Sequence, residues 1–193
     1  MQNKYAGRMP THILPTPSAE YLRSLFNYDP ETGSLTWKER VLGGRGTNVS
    51  FNTRYAGQSV GTLNTTGSRQ VRVKGRLVTA HRIIWRLMTN SDPVSQIDHI
   101  NGNPDDNRWV NLREATQLEN TWNQKVRNTN TSGHPCIYPA KSKRAASKKW
   151  NVRISLGKDG MFTATCYTFE EAKFVYEKVI AKHRDPRFRR VDP

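Results

Sequence analysis

Asp98 and His99 stand side by side in a stretch whose charge runs against that of the whole chain. Residues 92–120 hold six acidic side chains (Asp92, Asp98, Asp105, Asp106, Glu114, Glu119) and two basic ones (Arg108, Arg113), whereas the 193 residues carry 31 Lys and Arg against 16 Asp and Glu, a net charge of +15. A chain this basic points to a polyanionic partner, nucleic acid first among them. A group of carboxylate and amide oxygens within such a surface suits a hard divalent cation held between protein and phosphate, because Mg²⁺ prefers oxygen ligands and keeps several waters. Solvated loop acids, or acids favouring a helix start, would give the same composition. His99 adds what a hydrolytic site needs: with an ordinary pKa of about 6.5 it is mostly neutral at pH 7 and can take a proton from water attacking phosphorus.

The elements that must position these residues are short. Gln96 to His99 predicts a brief strand, Asn101-Gly102-Asn103-Pro104-Asp105-Asp106-Asn107 is dense in turn formers, and Asn111 to Ala115 predicts a second strand. A helix is expected from Thr116, because Thr116-Gln117-Leu118-Glu119 has the form of a capping box. Asp98 and His99 face opposite sides of an extended strand, so the strand must twist or end there for both to act on one phosphate. Folding strand, loop, strand and helix back on themselves would bring Asn120, one turn into the helix, to Asp98 as a second metal ligand. His81 shares a helical stripe with Trp85 and Met88, which predicts a packed or hydrogen-bonded histidine.

Upstream, Ser18 to Asn27 predicts a helix capped by Ser18, followed by a turn at Asp29-Pro30-Glu31-Thr32-Gly33 and a strand at Leu35 to Trp37. Lys38 to Thr53, with Gly43-Gly44-Arg45-Gly46, predicts a loop. Arg69 to Lys74 and the residues to Thr79 predict a hairpin turning at Lys74-Gly75, with Arg72 and Lys74 placed to meet DNA. His81 to Met88 predicts a helix.

Asn128 to Gly133 predicts a linker, and the charge changes there too: residues 124–193 carry 16 basic and 6 acidic side chains, residues 1–123 carry 15 and 10. Beyond it, Trp150 to Leu156 alternates, placing Trp150, Val152, Ile154 and Leu156 on one face. Gly157-Lys158-Asp159-Gly160 turns the chain into a strand from Met161 to Tyr167, and a second capping box, Thr168-Phe169-Glu170-Glu171, opens a helix to about His183.

A mean hydropathy of −0.79 argues for small modules rather than one large core. No apolar run reaches the roughly 18 residues of a membrane helix, and residues 1–17 read as a flexible start without a signal segment, so a cytoplasmic protein is expected. Cys136 and Cys166 form neither a CxxC pair nor a disulfide framework and read as ordinary small buried residues.

Ile97-Asp98-His99-Ile100-Asn101-Gly102-Asn103, Asp106-Asn107-Arg108, Asn111-Leu112-Arg113 and Thr116 to Asn120 together resemble the ββα-metal core of phage-type HNH homing endonucleases. Ala80 to Trp85 and Asn27 to Trp37 resemble what such proteins carry before that core. The resemblance implies that His99 is the general base, that Asp98 and Asn120 bind one metal, and that Asn111 holds the site together and orients His99. It further implies cleavage to 5′-phosphate and 3′-hydroxyl ends, with Mg²⁺ or Mn²⁺ expected because the ligands are oxygen donors and the zinc-binding cysteines of some relatives are absent.

The tail, through Asn130-Thr131-Ser132-Gly133, Lys149 to Ile154, Phe169 to Ala172 and His183 to Phe188, resembles the apetala-type domain of plant ethylene-response factors. That resemblance implies a three-stranded sheet in the major groove of DNA, with Trp150, Arg153, Lys143, Arg144, Lys148 and Lys149 as contacts. Cys136-Ile137-Tyr138 departs from that family's Gly and Trp on the first strand, and Ala145-Ala146-Ser147 lengthens the first turn.

The expected fold is α+β: an N-terminal helix and hairpins leading into a ββα-metal core (about 96–125) within an 18–127 nuclease region, a linker at 128–133, and a 134–193 domain of three strands and one helix. The expected function is a site-specific endonuclease acting on double-stranded DNA, without membrane or small-molecule cofactor. The alternatives are a non-catalytic DNA-binding regulator and an RNA-binding protein, the latter lacking an aromatic RNP-like motif.

Overall fold

The computed structural model describes residues 15–41, 47–123, 126, 130–140 and 149–183. The chain falls into two compact units, one ending at Glu114 and the other beginning at Ala115. It is a mixed α+β protein, with helices and four small sheets among the described residues.

The first unit opens with α1 (Ala19–Leu25), capped by the Ser18 hydroxyl, which accepts from the Tyr21 N–H. The helix stops two residues before the sequence predicts. Phe26 takes extended backbone, enters β1 (Phe26–Tyr28) and pairs with Trp37 of β2 (Leu35–Trp37), ring against ring at 4.8 Å. A second departure is α2 (Thr47–Tyr55), a helix within the predicted loop. Tertiary contacts hold it: Phe51 meets Trp37 edge-on at 5.5 Å, the Arg40 guanidinium lies 3.5 Å over the Phe51 ring, and the Asn52 amide bonds both the N–H and the carbonyl of Arg40. The glycine-rich stretch Gly43 to Gly46 lies outside the described residues.

β3 (Thr62–Leu63), β4 (Arg69–Val73) and β5 (Arg76–Thr79) form an antiparallel sheet. Val73 pairs with Arg76, leaving a two-residue turn in which Lys74 and Gly75 both take positive φ, as a type I′ turn requires. Val71 and Val73 are buried and Arg72 between them is exposed. α3 (Ala80–Thr89) follows directly and ends on left-handed Asn90. β6 (Gln96–His99) and β7 (Leu112–Ala115) make a two-stranded sheet. Leu22, Phe26, Leu35, Val60, Val71, Val73, Ile83, Ile84, Leu87, Ile97 and Leu112 form one buried cluster. Each fully buried aliphatic side chain stabilises the unit by about 1.5–3 kcal/mol relative to exposure.

The second unit holds α4 (Gln117–Asn123), β8 (Ile137–Pro139), β9 (Trp150–Ser155), β10 (Met161–Cys166) and α5 (Phe169–His183). Both capping boxes form: the Glu119 carboxylate accepts from Thr116 N–H at 2.7 Å, and Thr168 Oγ1 accepts from Glu171 N–H at 3.1 Å. The sheet runs β10-β9-β8, antiparallel, and α5 covers one face. Val152 and Ile154 are fully buried with Ile137, Cys166 and Ala172. Cys136 and Cys166, half-buried and buried, are not joined in a disulfide. Among the described residues no helix is long and apolar enough to cross a membrane.

Candidate active site

β6 ends on His99 because the chain turns at once: Gly102 donates to the His99 carbonyl at 2.8 Å and takes a φ of +66°. Ile97, Asp98 and His99 are all buried, and the strand's alternation sends them to different surroundings. Ile97 joins Leu112 in the core. Asp98 meets Arg113 of β7, whose Nε and Nη2 both donate to its Oδ2, at 2.9 and 2.6 Å. The two side chains are 6% and 14% exposed, so this is a nearly dry ion pair.

His99 packs against the ring of His81, edge to face at 5.2 Å, and its Nε2 lies 3.3 Å from Asn107 Oδ1. The Asn107 amide faces this way because its Nδ2 donates to the Asp105 carbonyl. A carbonyl oxygen only accepts, so this contact is a hydrogen bond in the tautomer that carries its hydrogen on Nε2, with the lone pair on Nδ1. Burial lowers the His99 pKa below the ordinary histidine value, opposed by the Asn107 bond and by the carboxylates of Asp98, Asp106 and Asp105. His81 is pushed down to about 3 by burial, with His99 and Arg82 adding to the effect, and its Nε2 pairs with Thr79 Oγ1 at 2.9 Å. It is the packed, hydrogen-bonded histidine the sequence predicts.

The loop after His99 is fastened from inside by Asn111, which lies on the 3-10 turn Trp109–Asn111 and is 6% exposed. Its Oδ1 accepts from Asn101 N–H at 3.0 Å, and its Nδ2 donates to the Asp106 carbonyl at 2.7 Å and to Asn101 Oδ1 at 3.1 Å. Only an amide offers an acceptor and two donors in that space. Arg108 grips Asp106 through two nitrogens, at 2.8 and 2.6 Å, and holds its carboxyl down at about 2.

Within the first unit the structure thus places Asp98, His99 and Asn111 on one strand-loop-turn segment. Asn120 lies on α4 in the second unit. Arg72 is on β4 with Nη1 donating to the Gly75 carbonyl, and the Lys74 ammonium sits 4.1 Å over the Tyr21 ring. In the second unit Arg153 is exposed on the sheet face away from α5, while Trp150 lies on the other face against Phe169, ring centroids 4.8 Å apart. Trp150 and Arg153 therefore do not share a surface. The Lys149 ammonium lies 4.9 Å over the Tyr167 ring, and Lys143, Arg144, Lys148 and the stretch from Arg184 to Phe188 lie outside the described residues.

Two side chains with a clear place here are not singled out by the sequence. Arg113 enters the sequence reading as one of two basic residues in the stretch and Asn107 as a turn former, both within the family-like motifs but neither with a role of its own. The donors gathered around Asp98 and the loop are carboxylate and amide oxygens, which fit a hard cation rather than zinc. Among the described residues no three His, Cys, Asp or Glu side chains converge on one point.

Residues 78–121, from the end of β5 into α4, match the family model of HNH endonucleases. The chain is also similar to Protein 3.8 of Escherichia phage T7, 43% identical over 54 residues. That alignment covers 28% of this chain and 45% of the phage protein's length. No solved structure matches the chain.

Proposed function

We propose that this chain is a site-specific, homing-type DNA endonuclease that hydrolyses phosphodiester bonds with His99 as general base and one divalent cation, Mg²⁺ or Mn²⁺. The observation that carries the reading is the setting of His99: a buried imidazole, its Nε2 against the Asn107 amide oxygen, at the end of a strand inside a stretch matched to HNH endonucleases. Asp98 would hold the cation, and Asn120 is proposed as a metal ligand on the family resemblance alone. When bound, it would offset the charge that develops on phosphorus and on the departing 3′ oxygen.

His99 Nδ1 takes a proton from water as the new O–P bond forms. The P–O3′ bond breaks, leaving a 5′-phosphate, and the 3′ oxygen takes a proton from solvent. Burial favours the neutral, proton-accepting ring near pH 7. Asn111 keeps the loop folded so that His99 stays at the end of its strand. Arg113 balances the buried charge of Asp98 while that carboxylate is without a cation.

Double-stranded DNA is the proposed partner. Arg72 and Lys74 on the β4–β5 hairpin would contact its backbone, as would Lys149, Arg153 and the basic run with Lys143, Arg144 and Lys148. The second unit, three antiparallel strands backed by one helix with Arg153 outward, supports an apetala-type DNA-binding module. Trp150 supports that sheet from behind.

The test is cleavage of supercoiled plasmid carrying the host or phage fragment, in Mg²⁺ or Mn²⁺. Nicked or linear product is expected, EDTA stops it, and His99→Ala slows it by about 10²–10⁴-fold. Cutting by His99→Ala at the parent rate in the same salt would remove the proposed mechanism.

A further inference from the structure

The segment Asn27 to Trp37 has no part in the chemistry above, yet its turn grips one point of the active-site loop. The Tyr28 hydroxyl donates to the Asn107 carbonyl at 2.8 Å, and the Trp109 N–H donates to the Pro30 carbonyl at 3.0 Å. Gly33, at φ +75°, lies so close to this backbone that a Cβ would stand 2.5 Å from Arg108 N and 2.7 Å from the Asn107 carbonyl carbon. From another side, Arg69 of β4 holds Asp105 through two nitrogens, at 2.8 and 3.0 Å, and the Asp105 carbonyl takes the Asn107 Nδ2 hydrogen at 3.2 Å. Asn107 itself is only 4% exposed.

Three separate elements thus converge on Asn107: the β1–β2 turn on its backbone, the β4 arginine through Asp105, and His99 on its amide oxygen. The anchoring is far greater than a turn former needs. We propose that Asn107 is the positioning residue of the site: its amide oxygen fixes His99 in the Nε2–H tautomer and sets its ring angle, and the β1–β2 turn exists to keep that oxygen in place.

The chemistry explains why an anchored acceptor matters. A neutral imidazole in water divides its single hydrogen between two nitrogens, and only a ring with a lone pair on Nδ1 accepts there. A fixed acceptor at Nε2 settles the tautomer before substrate arrives, the same logic by which partners of metal-ligating or catalytic histidines orient them. Asp at this position would accept equally well but could not donate to Asp105. Ala or Leu would offer no acceptor.

This inference rests on the reading of His99 as general base, and the experiment separates the two. Long-range ¹⁵N–¹H spectra of the full chain without metal, at a pH where the ring is neutral, report each histidine's tautomer, and the His99 signal is the one lost in His99→Gln. The parent is expected to show the Nε2–H form. Asn107→Leu should redistribute the hydrogen between the ring nitrogens, Asn107→Asp should restore the Nε2–H form, and Tyr28→Phe should fall between. Metal-supported plasmid cleavage should follow the same order, about 10- to 100-fold down in Asn107→Leu. An unchanged tautomer in folded Asn107→Leu overturns the proposal. If that variant is unfolded, failure of Asn107→Asp and Tyr28→Phe to order the tautomer as stated overturns it equally. A shifted tautomer with undiminished cleavage upholds the role of Asn107 and refutes the base role of His99.

Discussion

The Arg113 guanidinium holds Oδ2 of Asp98 with two of its nitrogens. Removing one partner of a pair this buried leaves the other charge without compensation, at a cost of about 3–5 kcal/mol. Arg113→Met should therefore lower the urea midpoint sharply, and Asp98→Asn should lower it less, because the amide still accepts from Arg113. Equal stability of Arg113→Met and parent in urea titration would mean that the pair adds nothing.

His81 sets a pH dependence on folding. Its folded pKa of about 3 lies below the ordinary 6.5, so the unfolded chain binds the proton that the folded one refuses. The stability tied to neutral His81 is fully present above about pH 6.5, is lost progressively as pH falls toward 3, and changes no further below that. The slope in that window is up to about 1.4 kcal/mol per pH unit. His81→Gln should flatten that part of a stability-against-pH curve measured by thermal melts. A curve with the parent's slope would show that His81 does not titrate this way.

Gly33 combines a left-handed φ with a backbone contact that leaves no room for a methyl group. Gly33→Ala is expected to destabilise the unit by well over the ~1 kcal/mol that a compatible Gly-to-Ala change alters. Gly57, also left-handed but with nothing within 4 Å of its missing Cβ, is the matched control. Its Ala variant carries the backbone strain alone, so the smaller loss belongs there, and denaturant midpoints compare the two.

The phosphate contacts proposed for the second unit can be counted through salt. Lys149→Ala with Arg153→Ser should weaken binding to a DNA duplex at low salt and reduce the slope of log affinity on log salt by about 0.9 per lost contact. Trp150→Phe should leave that slope unchanged, because Trp150 lies on the helix side of the sheet. An unaltered slope in the double variant would take this face out of DNA binding.

What the sequence reveals here is local. The capping boxes at Thr116 and Thr168, the Lys74-Gly75 turn and the alternation through β9 follow from neighbours within a few residues, and each forms. The clustering of Asp98, His99 and Asn111 was legible for the same reason: one short loop joins them. Contacts that reach across the chain were not. α2 depends on Trp37 and Arg40 rather than on the weak helix formers Thr47 to Tyr55, and isolated helices of that length are marginal. Phe26 leaves α1 to pair with Trp37 of β2, a partner that the local spacing of residues does not announce. The hold on Asn107 from Tyr28, 79 positions away, has no local signature at all.

The two buried clusters, one around Leu22, Ile83 and Ile84 and the other around Ile137, Val152 and Ile154, have no member in common. A gene encoding them can be cut and rejoined between the two without repacking either set of side chains. Each set of side chains can therefore change in sequence, or be exchanged whole, on its own account.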